Sequence, residues 1–489
     1  MPAILAIDQG TSATKCALIG ADGTFLSRAA APLGETHPQP GWVEQDPRAI
    51  WRSVEEAVAA CMGSHDPGEV VSVGFSVQRE SVLLWDRDTG EPVSPLVSWQ
   101  DQRGAAICDR LRSDETEQLV RQRTGLPLDP MFSAAKATWL LDRHDPGRNL
   151  SRAGRLRLGT VDSWLLSRFG GPHVIEAGCA SRTQLMNVQE VDWDDDLLAL
   201  FDIPRACLPA IAPSSGPFPA LRGLAPLRDG TPVSAVLGDS HAALFGHGAV
   251  SVGQVKATFG TGSSVMGLVN RAADLPDGLC LTIGWMTEAG PAYAAEGNIR
   301  SSGATLRWLA SILDVEIAEL VRMGLRTPSS GVMLVPGFGG LGAPWWDRHA
   351  IGLFAHLSLG TTREQLARAA VDSIVFQIAD VVDRIGQGAG AVRALFVDGG
   401  PARNDGLVQL QADRLGCPVL RAAEAELSAL GAAHLAGLGA GLWDWDALRT
   451  LPRPVDRFEP KQSLTEETKE RWHDAVDRAR SRRPTEDVR

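Results

Sequence analysis

Residues 4–19 read ILAIDQGTSATKCALI, two apolar runs on either side of a short polar turn. The runs predict strands over 4–7 and 15–19, with a glycine-containing turn over 8–12. Asp8 ends the first strand, and the Gly, Thr and Ser that follow present backbone N–H groups and hydroxyls to one point. This arrangement suits a phosphate group, with the carboxylate placed to hold Mg²⁺ through water. An ordinary β-turn is the alternative for this stretch taken alone.

The same arrangement returns in the second half of the chain. Residues 254–259 and 263–269 are predicted strands, and Gly260-Thr261-Gly262 lies between them. Two such hairpins in one chain suggest a nucleotide held between two related lobes. We therefore predict two domains, residues 1–248 and 249–489.

Acidic, basic and aromatic residues follow other predicted strands. A strand over 232–238 ends in Gly238-Asp239, and an aspartate there can accept a proton from a substrate hydroxyl during in-line phosphoryl transfer. A helix N-cap is the alternative role for Asp239. Arg79-Glu80 and Trp99 could bind hydroxyls and cover the apolar edge of a sugar. Singly, each is also explained as a surface ion pair or a core residue.

A third glycine element is Val397-Asp398-Gly399-Gly400, which precedes Asn404. A strand, a Gly-Gly pair and a helix let the backbone approach a flat ligand such as adenine with its ribose. The chain has neither a Walker A sequence nor a G-x-G-x-x-G here, which disfavours a P-loop ATPase and a Rossmann dehydrogenase.

Composition narrows the functional class. The 489 residues are 44% hydrophobic and 22% charged, and the net charge of -12 argues against nucleic-acid binding. The sequence shows neither a membrane-spanning apolar run nor an export signal, so we expect a cytoplasmic protein without a membrane partner. The seven scattered cysteines are expected to be free buried thiols. From about residue 460 the charged sequence, which includes Thr465, predicts a surface helix and then a frayed tail.

From about residue 3 to about residue 445, the chain resembles the FGGY family of carbohydrate kinases, and within it the glycerol kinases. The matching stretches are residues 8–11, 41–47, 78–80, 99–100, 129–130, 132–133, 136, 139, 159–162, 180–183, 238–239, 260–262, 340–347 and 397–400.

The resemblance implies an α/β fold of two ribonuclease-H-like domains, of the actin, hexokinase and heat-shock-chaperone ATPase type, with a cleft between them. The first domain would hold the acceptor and the first phosphate loop, and the second would bind ATP. The implied activity is ATP-dependent phosphorylation of a hydroxyl of a small polyol or sugar, with Asp239 as the catalytic base.

Site residues carry over by position. Those implied for ATP are Thr11, Ser12, Lys15, Thr261, Gly303, Arg307, Gly400 and Asn404. Those implied for the acceptor are Arg79, Glu80, Trp99, Met131, Asp239, Ser240 and Ser264. Asp8 and Asp239 would flank Mg²⁺, and Arg307 stands where the family usually has glutamine.

The implied acceptor pocket departs from the glycerol kinases. Met131 stands where they usually carry tyrosine, Ser240 where they carry glutamine, and Ser264 where they carry an aromatic residue. The smaller serines leave room and offer donors, so we expect a longer polyol or a ketose, with glycerol as the alternative. Residues 221–230 show no counterpart of the glycine-rich loop that binds a sugar bisphosphate inhibitor in some glycerol kinases.

Two other classes stay open at this point. An ATP-driven switch like actin shares the fold but needs no acceptor pocket, so Arg79, Glu80 and Trp99 argue against it. A sugar-sensing regulator would need a DNA-binding segment, and the sequence shows neither a helix-turn-helix nor a basic face. Self-association into a homo-oligomer is left open.

Overall fold

The computed structural model describes residues 1–462 and 466–480. The chain forms two compact units. The first contains residues 1–248, 281–294 and 426–452, and the second contains residues 249–280, 295–425 and 453–489. The segment predicted from about residue 460 to end in a frayed tail is described only in part, because residue 465 and the residues beyond 480 lie outside the described residues.

The first unit is built around a five-stranded mixed sheet. Its strand order is Val233–Gly238, Val70–Val77, Ala3–Gln9, Ala13–Gly20 and Phe25–Pro32. The central strand pairs antiparallel with its hairpin partner and parallel with Val70–Val77. In this register Asp8 lies beside both Lys15 and Ser76. The central strand is buried along its whole length, as its unbroken apolar run predicts.

Two helices cover this sheet. Pro47–Met62 begins with Asp46 as N-cap and proline in its first turn, and Asp46 accepts a hydrogen bond from the Arg48 amide. Leu427–Gly439 packs on the strands from the other half of the chain. Its approach is close, because a Cβ on Gly74 would lie 2.4 Å from the Ala432 carbonyl oxygen.

Smaller elements complete the first unit. A four-stranded sheet has the order Glu44–Gln45, Leu96–Val97, Val82–Asp86 and Leu156–Thr160. Short strand pairs are Met186–Asn187 with Asp192–Trp193, and Ala210–Ala212 with Val174–Glu176. The other helices are Ala105–Leu111, Asp114–Thr124, Ser133–His144, Asn149–Arg152, Val161–Ser167, Ala177–Ser181, Asp195–Leu200, Asp239–Gly246 and Trp445–Thr450. Residues 281–294 form most of the hairpin of strands Cys280–Thr287 and Gly290–Ile299.

The second unit repeats the strand and glycine-turn arrangement. Its sheet continues from Gly290–Ile299 in the order Ser263–Leu268, Gln254–Phe259, Ala394–Gly399, Val419–Ala422 and Val455–Phe458. A separate pair joins Met333–Pro336 to Gly352–Ala355. The helices are Gly303–Ile312, Ile317–Arg326, Arg363–Ala389, Asp405–Leu415 and Glu466–Ala479.

The charged segment forms the predicted helix, Glu466–Ala479, and one face of this helix is buried. Trp472 is 1% exposed, and its ring stacks on Phe376 at a centroid distance of 5.2 Å. Its indole Nε1 donates a 2.7 Å hydrogen bond to Asp380. The sequence of this helix is mostly charged, and its buried residues are only Trp472, Ala475, Val476 and Ala479. The buried face was therefore not apparent from the sequence.

Two other sequence predictions concern cysteines and membrane spans. All seven cysteines are free and buried, as predicted. Among the described residues, no helix combines the length and the apolar character that a membrane crossing requires.

Candidate functional site

The predicted site residues are divided between the units. Those in the first unit are Asp8, Thr11, Ser12, Lys15, Arg79, Glu80, Trp99, Met131, Asp239 and Ser240. Those in the second unit are Thr261, Ser264, Gly303, Arg307, Gly400 and Asn404.

Asp8 places a buried carboxylate near the end of the central strand. Its Oδ1 accepts a 2.6 Å hydrogen bond from the Ser76 hydroxyl. Burial, opposed by that hydrogen bond and reinforced by the charge of Asp239, raises the pKa of Asp8 to about 6. Burial disfavours the ionised form of this carboxylate, so a cation that approaches it stabilises that form.

Asp239 is the first residue of helix Asp239–Gly246, and the N-cap is Gly238. Its Oδ1 accepts a 2.7 Å hydrogen bond from the Ser240 amide and lies 3.3 Å from Arg79 Nε. The side chain of Arg79 is 7% exposed, whereas that of Asp239 is 40% exposed. A buried cation therefore anchors a carboxylate that solvent, or a substrate, can reach.

Glu80 has a strained backbone beside this pair. Its φ is 63°, in the left-handed region that non-glycine residues rarely adopt. Arg182 Nε donates a 2.7 Å hydrogen bond to its carboxylate, and the Ser133 hydroxyl donates a 2.9 Å hydrogen bond to its carbonyl. Such strain persists where the surroundings fix it, and it is typical of ligand sites. Arg182 lies in a stretch that matches the family, but no role was predicted for it from the sequence.

Hydrogen bonds tie Trp99 to the first glycine turn. The indole Nε1 donates to the Thr11 hydroxyl at 3.1 Å, and Gln45 donates to the Thr11 carbonyl at 2.7 Å. Gln78 in turn donates to the Gln45 side chain at 2.9 Å. These buried amides hold the turn in place, while the indole, 38% exposed, leaves a ring face available to a ligand. Ser12, the next residue of the turn, is exposed.

Lys15 and Asp239 are both linked to the start of helix Leu427–Gly439. Lys15 Nζ lies 2.9 Å from a carboxylate oxygen of Glu426, the residue before the helix. The Ser428 hydroxyl donates a 3.1 Å hydrogen bond to the Asp239 carbonyl. Neither Glu426 nor Ser428 was predicted as a site residue, because no local pattern marks contacts between residues so far apart in sequence.

Met131 is half-buried, and its backbone is fixed on both sides. Its amide donates a 2.9 Å hydrogen bond to Asp129, and its carbonyl accepts one from Lys136 Nζ. Burial lowers the pKa of Lys136 to about 8, against the opposing charges of Glu80, Asp101 and Asp129. Ser240, also half-buried, follows Asp239 in its helix.

The second glycine turn is packed against the start of helix Gly303–Ile312. The amides of Gly303 and Ala304 donate to the carbonyls of Gly260 and Thr261, at 2.9 and 3.0 Å. A Cβ on Gly303 would lie 2.7 Å from the Gly260 oxygen, so glycine is needed for this approach. Arg307 is exposed on the same helix and donates a 3.1 Å hydrogen bond to the Thr261 hydroxyl.

The third glycine element has the predicted strand and helix around it. Strand Ala394–Gly399 is followed by Gly400, where an added Cβ would meet nothing within 4 Å. Asn404 is the N-cap of helix Asp405–Leu415, and its side chain accepts a 3.1 Å hydrogen bond from the Leu407 amide. Asn404 thus has a structural role beside the nucleotide role that the resemblance implies.

Ser264 lies in the strand after the second glycine turn and is half-buried. Its hydroxyl donates a 3.2 Å hydrogen bond to the carboxylate of Glu296, which is fully buried. The hydroxyl is therefore oriented within its own unit.

The acidic residues of the first unit fit a magnesium ion. Among the described residues, no group of three or more His, Cys, Asp or Glu side chains could enclose a metal ion. Mg²⁺ is commonly held by one or two carboxylates together with substrate phosphates and water, and Asp8 and Asp239 supply two. The donor set therefore matches a hard cation that arrives with a nucleotide.

Comparison with known proteins identifies the family. The model of the N-terminal domain of the FGGY family of carbohydrate kinases matches residues 3–246, and the model of its C-terminal domain matches residues 255–440. The chain belongs to the FGGY family of carbohydrate kinases. These are ATP-dependent phosphotransferases with a hydroxyl acceptor, so the predicted enzyme class and the use of ATP are confirmed.

Curated relatives agree along the whole chain. An apulose kinase from Pectobacterium atrosepticum is 43% identical, with 98% of this chain and 99% of that protein covered. A glycerol kinase from Citrifermentans bemidjiense is 41% identical, with 97% of each chain covered. The family resemblance seen in the sequence is thereby confirmed, and both relatives are named for small sugar or polyol acceptors.

A solved structure confirms the fold class. Glycerol kinase from Plasmodium falciparum, in complex with ADP, superposes with a TM-score of 0.90 at 26% identity, and 98% of each chain is covered. The predicted two-domain fold of the actin and hexokinase type is correct for this carbohydrate kinase.

Proposed function

We propose that this carbohydrate kinase phosphorylates a polyol or ketose longer than glycerol, with Asp239 as the general base. The observation that carries the proposal is the Asp239–Arg79 pair, in which a buried guanidinium orients a half-exposed carboxylate at the start of a helix. A carboxylate held in this way can accept the proton of a hydroxyl as the γ-phosphoryl group is transferred.

The acceptor would be held by Arg79, Glu80 and Trp99. Arg79 offers hydrogen-bond donors, and the carboxylate of Glu80 offers acceptors. The indole of Trp99 offers an apolar face. Met131, Ser240 and Ser264 are proposed to shape the room left for the carbon chain. The 43% identity to an apulose kinase supports a sugar acceptor, and the 41% identity to a glycerol kinase keeps glycerol as the alternative.

On the nucleotide side, Thr11, Ser12 and Lys15 are proposed to contact the ATP phosphates from the first unit. Thr261, Gly303 and Arg307, with Gly400 and Asn404 for adenosine, are proposed contacts from the second. Asp8 and Asp239 would hold Mg²⁺, which supplies charge neutralisation on the phosphates when bound. The cytoplasmic location remains a prediction. Whether the protein forms a homo-oligomer remains open.

A coupled assay of ADP formation tests the acceptor. The panel is glycerol, erythritol, pentitols, xylulose, ribulose, apulose and dihydroxyacetone. We expect a sugar or longer polyol to give the highest kcat/KM. A wide margin in favour of glycerol would contradict the proposal, and equal ADP formation without any acceptor would instead favour an ATP-driven switch.

The Asp239→Asn variant tests the base. The amide keeps the shape of the side chain but cannot accept the proton, so we expect kcat to fall by about 100-fold or more, the usual range for loss of a general base. ATP binding, followed by calorimetry, should change little. The control is Asp195→Asn, whose carboxylate is 84% exposed and pairs with Arg205. Retention of kcat in Asp239→Asn would overturn the assignment.

A further inference from the structure

A buried chain of polar side chains lies behind Arg79, on the side away from solvent. His241 is fully buried two positions after Asp239, and its Nε2 lies 3.2 Å from Arg79 Nη1. The Thr282 hydroxyl, also fully buried, lies 2.9 Å from the same nitrogen. Ser181 continues the chain, with its hydroxyl 2.9 Å from that of Thr282.

The donors in this chain fix the hydrogen-bond directions. A guanidinium can only donate, so Nε2 of His241 must accept and the ring proton lies on Nδ1. The Thr282 hydroxyl must therefore also donate to Nε2. Nε2 has a single lone pair, so the two donors share it, and the direction of that lone pair sets the rotation of the imidazole.

The backbone around the chain is close-packed. A Cβ on Gly238 would lie 2.6 Å from Cγ and Cδ of Arg79 and 3.0 Å from Nδ1 of His241. The arginine stem and the imidazole thus pack directly on the strand end that precedes Asp239.

We propose that His241 is a positioning residue for the acceptor site: it holds Arg79 so that Nε faces Asp239 and the guanidinium is presented to the acceptor. This inference rests on the proposed function. Thr282 completes the support, and it comes from the hairpin segment 281–294, far along the chain. Burying the polar side chains of His241, Thr282 and Ser181 together costs free energy unless their hydrogen bonds are satisfied. If position 241 only had to fill volume, an apolar side chain would do so without this cost.

Substitutions at His241 distinguish positioning from simple packing. Gln can place its carbonyl oxygen where Nε2 lies and so still accept from Arg79, whereas Leu fills the volume without an acceptor. We expect His241→Leu to raise the KM for the acceptor by about 10-fold or more, as for loss of a buried polar partner. The KM for ATP should stay within about twofold, and His241→Gln should restore the acceptor KM to within a few-fold.

Thr282→Val gives a milder variant that removes one hydroxyl with little change of shape. We expect an intermediate rise of the acceptor KM. The matched control is Thr138→Val, a buried hydroxyl that donates to the carbonyls of Ala134 and Phe201. Urea unfolding of each variant reports loss of stability separately from loss of affinity. Equal effects of the Leu and Gln variants, or equal changes in the two KM values, would overturn the proposal.

A spectroscopic readout separates this inference from the proposed function. The ¹⁵N shifts of His241, assigned by difference from His241→Gln, should show a protonated Nδ1 and an accepting Nε2. The Nε2 shift should move in Arg79→Met. If no acceptor supports ADP formation, the proposed function fails while this test still applies; if Nε2 is the protonated nitrogen, the positioning role fails even in an active kinase.

Discussion

At the residue scale, the site combines a few exposed groups with buried partners that orient them. Trp99 and the Asp239 carboxylate are accessible, whereas Arg79 and Arg182 are buried behind them. Sequence patterns found Trp99 and Asp239, and also the buried Arg79, because all three follow predicted strands at positions typical of ligand-binding groups. They did not find Arg182 and His241 as functional residues, because a buried cation or imidazole in sequence has no periodicity that distinguishes it from a structural one.

The Glu80–Arg182 pair gives a stability prediction. Arg182→Met leaves a buried carboxylate without its guanidinium, so we expect the free energy of unfolding to fall by about 3 kcal/mol, as for a broken buried ion pair. The double variant Glu80→Gln/Arg182→Met should recover part of this loss, since neither charge of the pair is left without the other. Urea unfolding followed by tryptophan fluorescence measures both. A double variant as unstable as the sum of the single variants would show that the pair is not coupled.

Glu176 gives a prediction of pH dependence. Burial raises the pKa of Glu176 from 4.5 to about 7, although the Ser214 hydroxyl and the amides of Gly178 and Cys179 donate to it. Because the folded pKa is raised, the stabilising contribution is complete below pH 4.5 and is lost as the pH rises through about 7.

The test compares the wild type with Glu176→Gln, whose side chain does not titrate. We expect the difference in unfolding free energy between the two to change by about 3 kcal/mol between pH 4.5 and 7.5, in the direction that disfavours the wild type at high pH. Differential scanning calorimetry over this range provides the data. A constant difference across the range would contradict the raised pKa.

At the element scale, local sequence patterns predicted the hairpins but did not predict how distant elements pack together. The strand Gln254–Phe259 has the predicted bounds, and Ser263–Leu268 ends one residue before its predicted bound. Apolar alternation, glycine turns and caps depend on neighbours in sequence, which explains this success. Helix Leu427–Gly439 carries Glu426 and Ser428 to the site from the far end of the chain, and no local signal indicates where such a helix packs.

Helix Leu427–Gly439 gives a prediction because it packs on the helix of Asp239 through glycine. A Cβ on Gly431 would lie 1.8 Å from the Ala242 carbonyl oxygen, so Gly431→Ala must separate the two helices. We expect the free energy of unfolding to fall by about 1–3 kcal/mol or more, and kcat/KM for the acceptor to fall with it, since Asp239 starts the displaced helix. The control is Gly34→Ala, where an added Cβ would meet nothing within 4 Å. Equal stability of the two variants would refute close contact of the helices.

At the scale of the whole molecule, each unit is built from several segments that are not contiguous in the sequence. Residues 249–489 were predicted to form one domain, whereas residues 281–294 and 426–452 belong to the first unit. Thr282, Glu426 and Ser428, the supports of Arg79, Lys15 and Asp239, all lie in these two returning segments. Composition and motif order do not indicate that the chain returns to the first unit. The contacts of these two segments are set by long-range packing, which leaves no recognisable pattern in the local sequence.

The second unit also depends on a late segment, and this gives the last prediction. Trp472 of helix Glu466–Ala479 stacks on Phe376 and donates to Asp380, and it is 1% exposed. We expect Trp472→Ala to lower the unfolding free energy of the second unit by about 3–5 kcal/mol, through the lost contact and the cavity left behind. Glu470→Ala, on the exposed side of the same helix, is the matched control. Calorimetry should show a lower transition temperature for the second unit, with the transition of the first unit unchanged. If the variant and its control unfold alike, the C-terminal helix is not part of the core of the second unit.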